Sequence, residues 1–263
     1  MSEVSAGGPS LAVAGMVKRF GGLTAIDDLS LAVPSGEVVA LIGPNGAGKT
    51  TFFDCVMGMV EPDAGVVRLG DVDITRWDPS RRARAGIGRT FQRLQVFTRM
   101  TVRQNLQVAA EAAASGGSIV RGLVRRGSRD SDVVAATVDA TLERLGLAAS
   151  QHRLAGDLST GVLRLVELGR ALCAAPRILL LDEPASGLDA NDTSHLHELL
   201  RGVAADGIGV LLVEHNVGFV LALAQQVYVL DFGRLIAVGS PTEIEADPAV
   251  RAAYLGSVEA VGA

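Results

Sequence analysis

An α/β fold carrying an inserted, mostly helical segment is predicted for this 263-residue chain by three observations. Short β-branched runs alternate with helical patterns toward both ends of the chain. One of those runs leads directly into a glycine-rich loop and then a helix. Between the two α/β portions, at roughly 94–176, the hydrophobic period turns helical.

Taken in order, residues 1–10 read as a flexible tail. Leu11 to Val33 suggests antiparallel strands broken at Gly21-Gly22, and Glu37 to Gly43 a short strand buried on both faces. Lys49 to Met59 is a helix ended by Glu61-Pro62. Val66 to Leu69 and Gly86 to Gln92 are further strands. Thr101 to Ala114, Ser131 to Leu145 and Leu158 to Ala174 have helical composition and spacing. The first two flank a linker, 115–129, rich in Gly, Ser and Arg. From Arg177 the alternation returns, with a strand to Leu181, a helix near Asp192 to Ala204, a strand Gly209 to Val213, a helix, and strands near Val227 to Leu230 and Leu235 to Val238. The expected organisation is a discontinuous core, 11–93 and 177–245, a helical subdomain, 94–176, and a C-terminal helix and tail, 246–263.

Composition narrows the function classes. With 48% apolar and 20% charged residues the chain can bury a core. A net charge of −5 provides no basic field for nucleic acid. Cys55 and Cys173 have no metal-ligand spacing and read as reduced thiols. Apolar runs such as Val38 to Ile42 and Val217 to Ala224 fall short of the ~20 residues that cross a bilayer. Lys18 and Arg19 follow the first apolar run rather than precede it, unlike an export signal. The expectation is a protein that stays in the cytosol and reaches a membrane only by docking. The arginines between Arg121 and Arg129 suit either a solvated linker or contact with anionic headgroups.

Only two of the 24 basic residues are lysines, Lys18 and Lys49, and Lys49 ends the glycine loop. Gly43-Pro44-Asn45-Gly46-Ala47-Gly48-Lys49-Thr50 fits GxxxxGK[ST] between a buried strand and a helix. Such a loop turns backbone N–H groups toward phosphate oxygens, with the helix N-terminus behind them. Lys49 is expected to reach the β- and γ-phosphates and Thr50 to ligate Mg²⁺; Thr51 follows in the same first turn. Ile178-Leu179-Leu180-Leu181-Asp182-Glu183 sets two carboxylates at the end of a second buried strand. Asp182 suits Mg²⁺ and Glu183 the polarising of an attacking water.

Leu158-Ser159-Thr160-Gly161, followed by Arg164 and a helix, resembles the signature sequence of ABC ATPases, and the likeness extends from about Leu11 to Gly256. The resemblance implies a P-loop NTPase (RecA-like) core with an antiparallel β subdomain and an inserted α-helical subdomain. It implies that Phe20 stacks on adenine and that Gln92, in Arg89-Thr90-Phe91-Gln92, contacts metal and γ-phosphate. It further implies that Ser186-Gly187-Leu188-Asp189 contributes Asp189 to the ATP site, and that His215 senses the γ-phosphate. On residues alone, Phe20 also suits strand packing, His215 an ordinary strand end, and Asp189 or Asp192 a helix cap. Family members usually have Gly at 160 and Gln at 162, where this chain has Thr160 and Val162.

Phe20-Gly21-Gly22-Leu23, Arg89-Thr90-Phe91-Gln92, the long linker and Ala253-Tyr254-Leu255-Gly256 most resemble the ATPases of branched-chain amino acid importers. Urea or amide importers and the lipopolysaccharide exporter's ATPase share part of the pattern. The resemblance implies ATP and Mg²⁺ as cofactors and two cassettes, like or unlike, facing head to tail. Ser159 and Gly161 of one would close on the ATP of the other. It also implies permease subunits in the membrane, an extracytoplasmic solute-binding protein acting through them, and a peripheral position on the cytoplasmic face of the plasma (inner) membrane. A non-transport ABC ATPase acting on DNA or ribosomes, and a P-loop kinase or GTPase, are the competing classes.

Overall fold

In the computed structural model, which describes residues 10–90, 94–116 and 128–259, the elements alternate as the sequence predicts. The first part holds β1 (Leu11–Phe20), β2 (Leu23–Val33), β3 (Val38–Ile42), α1 (Lys49–Met57), β4 (Ala64–Leu69), β5 (Val72–Asp73), α2 (Pro79–Arg84) and β6 (Ile87–Arg89). Helices α3 (Val102–Ala114), α4 (Ser128–Arg144) and α5 (Thr160–Cys173) follow. Then come β7 (Ile178–Asp182), α6 (Ala190–Ala205), β8 (Gly209–Val213), α7 (Val217–Leu223), β9 (Gln226–Asp231), β10 (Arg234–Gly239), α8 (Pro241–Ala246) and α9 (Pro248–Glu259). The chain divides into two compact units. One joins the residues up to Arg82 with those from Leu200 onward, and the other is Ala83–Leu199.

In the first unit β1 and β2 form an antiparallel hairpin, Leu11 opposite Val33 and Phe20 opposite Leu23, turned at Gly21-Gly22. Strands β4 and β5 extend it to the order β2-β1-β4-β5. Strand β3 is wholly buried, pairs in parallel with β8 and β9, and β10 closes antiparallel on β9. A strand covered on both faces has no polar side to show, which is why Val38 to Ile42 reads as an unbroken apolar run.

Helix α1 leaves the glycine loop with Phe52, Phe53, Cys55 and Val56 fully buried. Its end is closed twice. Gly58 adopts the left-handed conformation and returns its N–H to the last turn. The fully buried guanidinium of Arg82 donates to the carbonyls of Cys55 (2.7 Å) and Val56 (2.5 Å), and also to those of Thr75 and Trp77. Composition gave no hint of this role, since arginine is normally exposed. Burial pushes the Cys55 thiol up to about 11 and raises that of Cys173. Both cysteines are free, as expected of reduced thiols.

In the second unit β6 runs parallel to β7, with Arg89 opposite Leu180. The strand expected over Gly86 to Gln92 is three residues long among the described residues, and 91–93 lie outside them. Helices α3, α4 and α5 pack through Leu106, Leu142, Leu145 and Val166. Gly169 is required where they meet, because a Cβ there would lie 2.8 Å from Leu145 Cδ1 and 3.3 Å from Leu106 Cδ1. Thr101 begins α3 with a capping box to Gln104. Most of the linker expected at 115–129 lies outside the described residues.

Removing Arg82 takes a donor from four carbonyls, two of them in buried hydrogen bonds; Cys55 O keeps only the N–H of Gly58. Arg82→Met is expected to lower unfolding free energy in urea by about 3 kcal/mol. Arg81→Met, removing an exposed guanidinium stacked on Trp77, should cost well under about 1 kcal/mol.

Candidate nucleotide-binding site

The glycine loop is shaped by backbone contacts that exclude side chains. Gly43 has φ 154°, and a Cβ on it would fall 2.1 Å from the carbonyl oxygen of Leu230. Gly48, at φ 106°, would place one 2.3 Å from Ala25 O. Between them Ala47 donates its N–H to Pro44 O at 3.2 Å. The turn joining β9 to β10 supports the loop from behind, since Gly233 N donates to Ala47 O and Asp27 N donates to Gly233 O. No sequence motif marks Gly233 for that task.

Gly48 is the N-cap of α1 and makes no side-chain cap, so the first turn's N–H groups are left to an outside acceptor. The helix also has no acidic residue in its first turn. An oxyanion is the partner that such an end attracts. Lys49 is buried, its Nζ donating to Gly43 O (2.7 Å) and Pro44 O (2.9 Å). The ammonium is folded across its own loop, at the mouth of the amide cradle. Asn45, Gly46 and Thr50 are exposed, Pro44 and Thr51 half-buried.

Elsewhere in this unit, Phe20 ends β1 with its ring 49% exposed and Lys18 Nζ 5.3 Å from the ring centroid. The strand-packing alternative for this aromatic is therefore not the one adopted. His215 is exposed just after β8. Its backbone N–H donates to the carboxylate of Glu214, a residue 1% exposed that sequence reasoning passed over. Asn216 next to it caps α7.

The remaining candidates belong to the second unit. Asp182 is buried at the end of β7 with Arg89 Nη2 3.2 Å from its Oδ2. Glu183 follows with φ 49°, a left-handed conformation that a glutamate adopts at some cost. Asp189 caps α6, its Oδ1 accepting the N–H of Asp192 at 2.8 Å. Ser159 is exposed at the N-cap of α5, accepting from Val162 N. Gly161 is buried, and a Cβ there would lie 2.3 Å from Asp192 Oδ2, so this glycine has a packing reason inside its own chain. Glu167, also missed, is buried and accepts the N–H of Gln95, holding that segment to α5. Gln92 lies outside the described residues.

Asp182, a buried carboxylate, and Thr50, an exposed hydroxyl, are hard oxygen donors that suit Mg²⁺. Among the described residues no group of three His, Cys, Asp or Glu forms a self-sufficient metal cage.

Comparison with known proteins shows the family and the fold. Residues 26–186 match the family described as ABC transporter, and residues 234–260 the branched-chain amino acid ATP-binding cassette transporter family. The branched-chain amino acid transport ATP-binding protein LivG of Salmonella typhimurium is 39% identical over 254 residues, covering 94% of this chain and 98% of LivG. The lipopolysaccharide export ATP-binding protein LptB of Acidithiobacillus ferridurans is 38% identical over 92% of this chain and 94% of its own. Among solved structures, the ADP conformation of an ATP-binding cassette of an ABC transporter superposes with TM-score 0.82 at 32% identity, covering 94% of this chain and 99% of that one. The fold is that of a P-loop ATPase cassette. This chain belongs to the ABC transporter ATP-binding family, whose members bind and hydrolyse ATP as subunits working with membrane permease components. No helix among the described residues is long and apolar enough to cross a membrane.

Gly48→Ala should push Cβ into the Ala25 carbonyl and displace the loop. Its affinity for a fluorescent ATP analogue is expected to fall at least about tenfold. Gly46→Ala meets no atom within 4 Å and carries only the backbone cost of its φ of 82°, so it should lose less, and a larger loss there than in Gly48→Ala would contradict the contact argument.

Proposed function

We propose that this cassette drives uptake of branched-chain amino acids or a related polar solute. It acts from the cytoplasmic face of the inner membrane, paired with a second cassette and seated on two permease subunits fed by an extracytoplasmic solute-binding protein. The observation that carries this reading is the C-terminal match at 234–260 to the branched-chain amino acid cassette family, added to the whole-length likeness to LivG. LptB favours a second reading, lipopolysaccharide export, through its similar identity.

In this reading the amide cradle from Gly43 to Gly48, with Lys49, grips the β- and γ-phosphates, and Thr51 also contacts ATP. Phe20 offers an exposed ring to adenine. Thr50 and Asp182, with Gln92, hold Mg²⁺, which supplies charge neutralisation on the phosphates. Glu183 orients and deprotonates the attacking water, while His215 contacts the γ-phosphate. Ser159 and Gly161 of the partner cassette close the other side, and Asp189 lies at that junction. A γ-phosphate shared by two surfaces favours the closed pair, and its loss opens it. The boundaries 94 and 176 then enclose the helical subdomain that carries Ser159. Val162 stands where a polar residue is usual, which removes one contact and predicts a slow basal turnover.

Glu183→Gln should lower ATP turnover about 100-fold or more while ATP binding persists, and a lasting ATP-bound dimer should appear on size-exclusion chromatography. Lys49→Ala should abolish nucleotide binding in the same assay. Turnover near wild type in Glu183→Gln contradicts its role as base. Cargo is tested by isolating the native membrane complex and asking which solute raises its ATP turnover. Leucine, isoleucine or valine is expected, and stimulation by lipopolysaccharide alone would favour the second reading.

A further inference from the structure

The carboxylate assigned to the metal is already engaged. Arg89 Nη2 stands 3.2 Å from Asp182 Oδ2, and the two side chains are only 7% and 10% exposed. Both come from the paired strands of one unit, Arg89 opposite Leu180 and Asp182 two residues farther along β7. Just beyond, Thr90 N donates to Leu180 O at 2.9 Å. The backbone beside the ion pair is thus fixed by the ladder, and the guanidinium moves only through its own side-chain torsions.

A carboxylate this buried is costly to leave without a partner. Arg89 supplies one from within the chain. A guanidinium and a divalent cation on one poorly hydrated carboxylate, however, repel each other strongly. We propose that Arg89 is a placeholder cation for Asp182: it holds the carboxylate in position, is exchanged for a divalent cation, and so weakens and sets the affinity of the site for Mg²⁺. This rests on the assignment of Asp182 to the metal. Arg89 acts through Asp182 and is a positioning residue, and its cost is returned as a pocket that does not collapse when the metal leaves.

The two ideas separate in one experiment. MgCl₂ is titrated into the full chain saturated with a methylanthraniloyl ATP analogue, with fluorescence and thermal unfolding as readouts. Arg89→Met should be less heat-stable than wild type without metal, yet reach half-saturation at a Mg²⁺ concentration about tenfold lower. Its gain in melting temperature on adding Mg²⁺ should exceed that of wild type. Arg89→Lys retains the charge and should keep the wild-type midpoint within about twofold. Asp182→Asn should need more Mg²⁺, and the double variant Arg89→Met/Asp182→Asn, which also loses the guanidinium's repulsion, should need less than Asp182→Asn alone. A Mg²⁺ midpoint that is unchanged or higher in Arg89→Met overturns the placeholder role. So does a tenfold change in Arg89→Lys, or a double variant whose midpoint is no lower than that of Asp182→Asn; these outcomes serve where Arg89→Met does not fold. An Asp182→Asn midpoint equal to wild type overturns the metal assignment itself.

Discussion

Main chain meeting main chain is the constraint on which the phosphate loop depends. Gly43 lies against the carbonyl of Leu230 and Gly48 against that of Ala25, each closer than any side chain allows. Strand β3 can deliver the loop to this spot because it is pinned on both edges, by β8 and β9, and covered on both faces. The β9–β10 turn then adds a bond from Gly233 to Ala47. A convergent set of amides is thereby fixed before any ligand is present, and reorganisation on binding is small.

Charge in this molecule is handled by burying a few groups with their partners. Lys49 is held by two loop carbonyls, Asp182 faces Arg89, Glu214 receives backbone N–H groups, and Glu167 receives that of Gln95. Each arrangement is local, within a few residues or between paired elements of one unit. Buried charges of this kind hold position more than they add net stability. The site's electrostatics are thus set by positions near the catalytic candidates as much as by the candidates themselves.

The legible and illegible parts of the sequence divide along physical lines. Strands β3, β7 and β8 announce themselves because burial on both faces demands continuous apolar runs. The glycine loop does so because positive φ and close approach leave few residue choices. Thr101, Ser159 and Asp189 sit where caps belong. Arg82 gave no signal, since its partners are carbonyls that every residue owns; Glu167 and Glu214 likewise accept backbone N–H groups, though Glu167 also faces Arg164 one turn earlier. Short β5 and the single-turn helices α2 and α8 fall below the length at which periodicity speaks. Gly161 shows a subtler limit. A motif glycine expected to serve a ligand also serves a neighbour, Asp192, and no spacing rule reveals the second duty.

Helix α1 is anchored unequally at its two ends. At its foot the guanidinium of Arg82 clasps two of its last carbonyls and ties them to the segment at 75–77, while its head carries no cap at all. A rod clamped at the base and open at the tip does not recoil along its axis when its tip is loaded. The load passes instead to the six-residue loop ahead of it, which the main chain at Ala25, Leu230 and Gly233 holds as firmly as Arg82 holds the base.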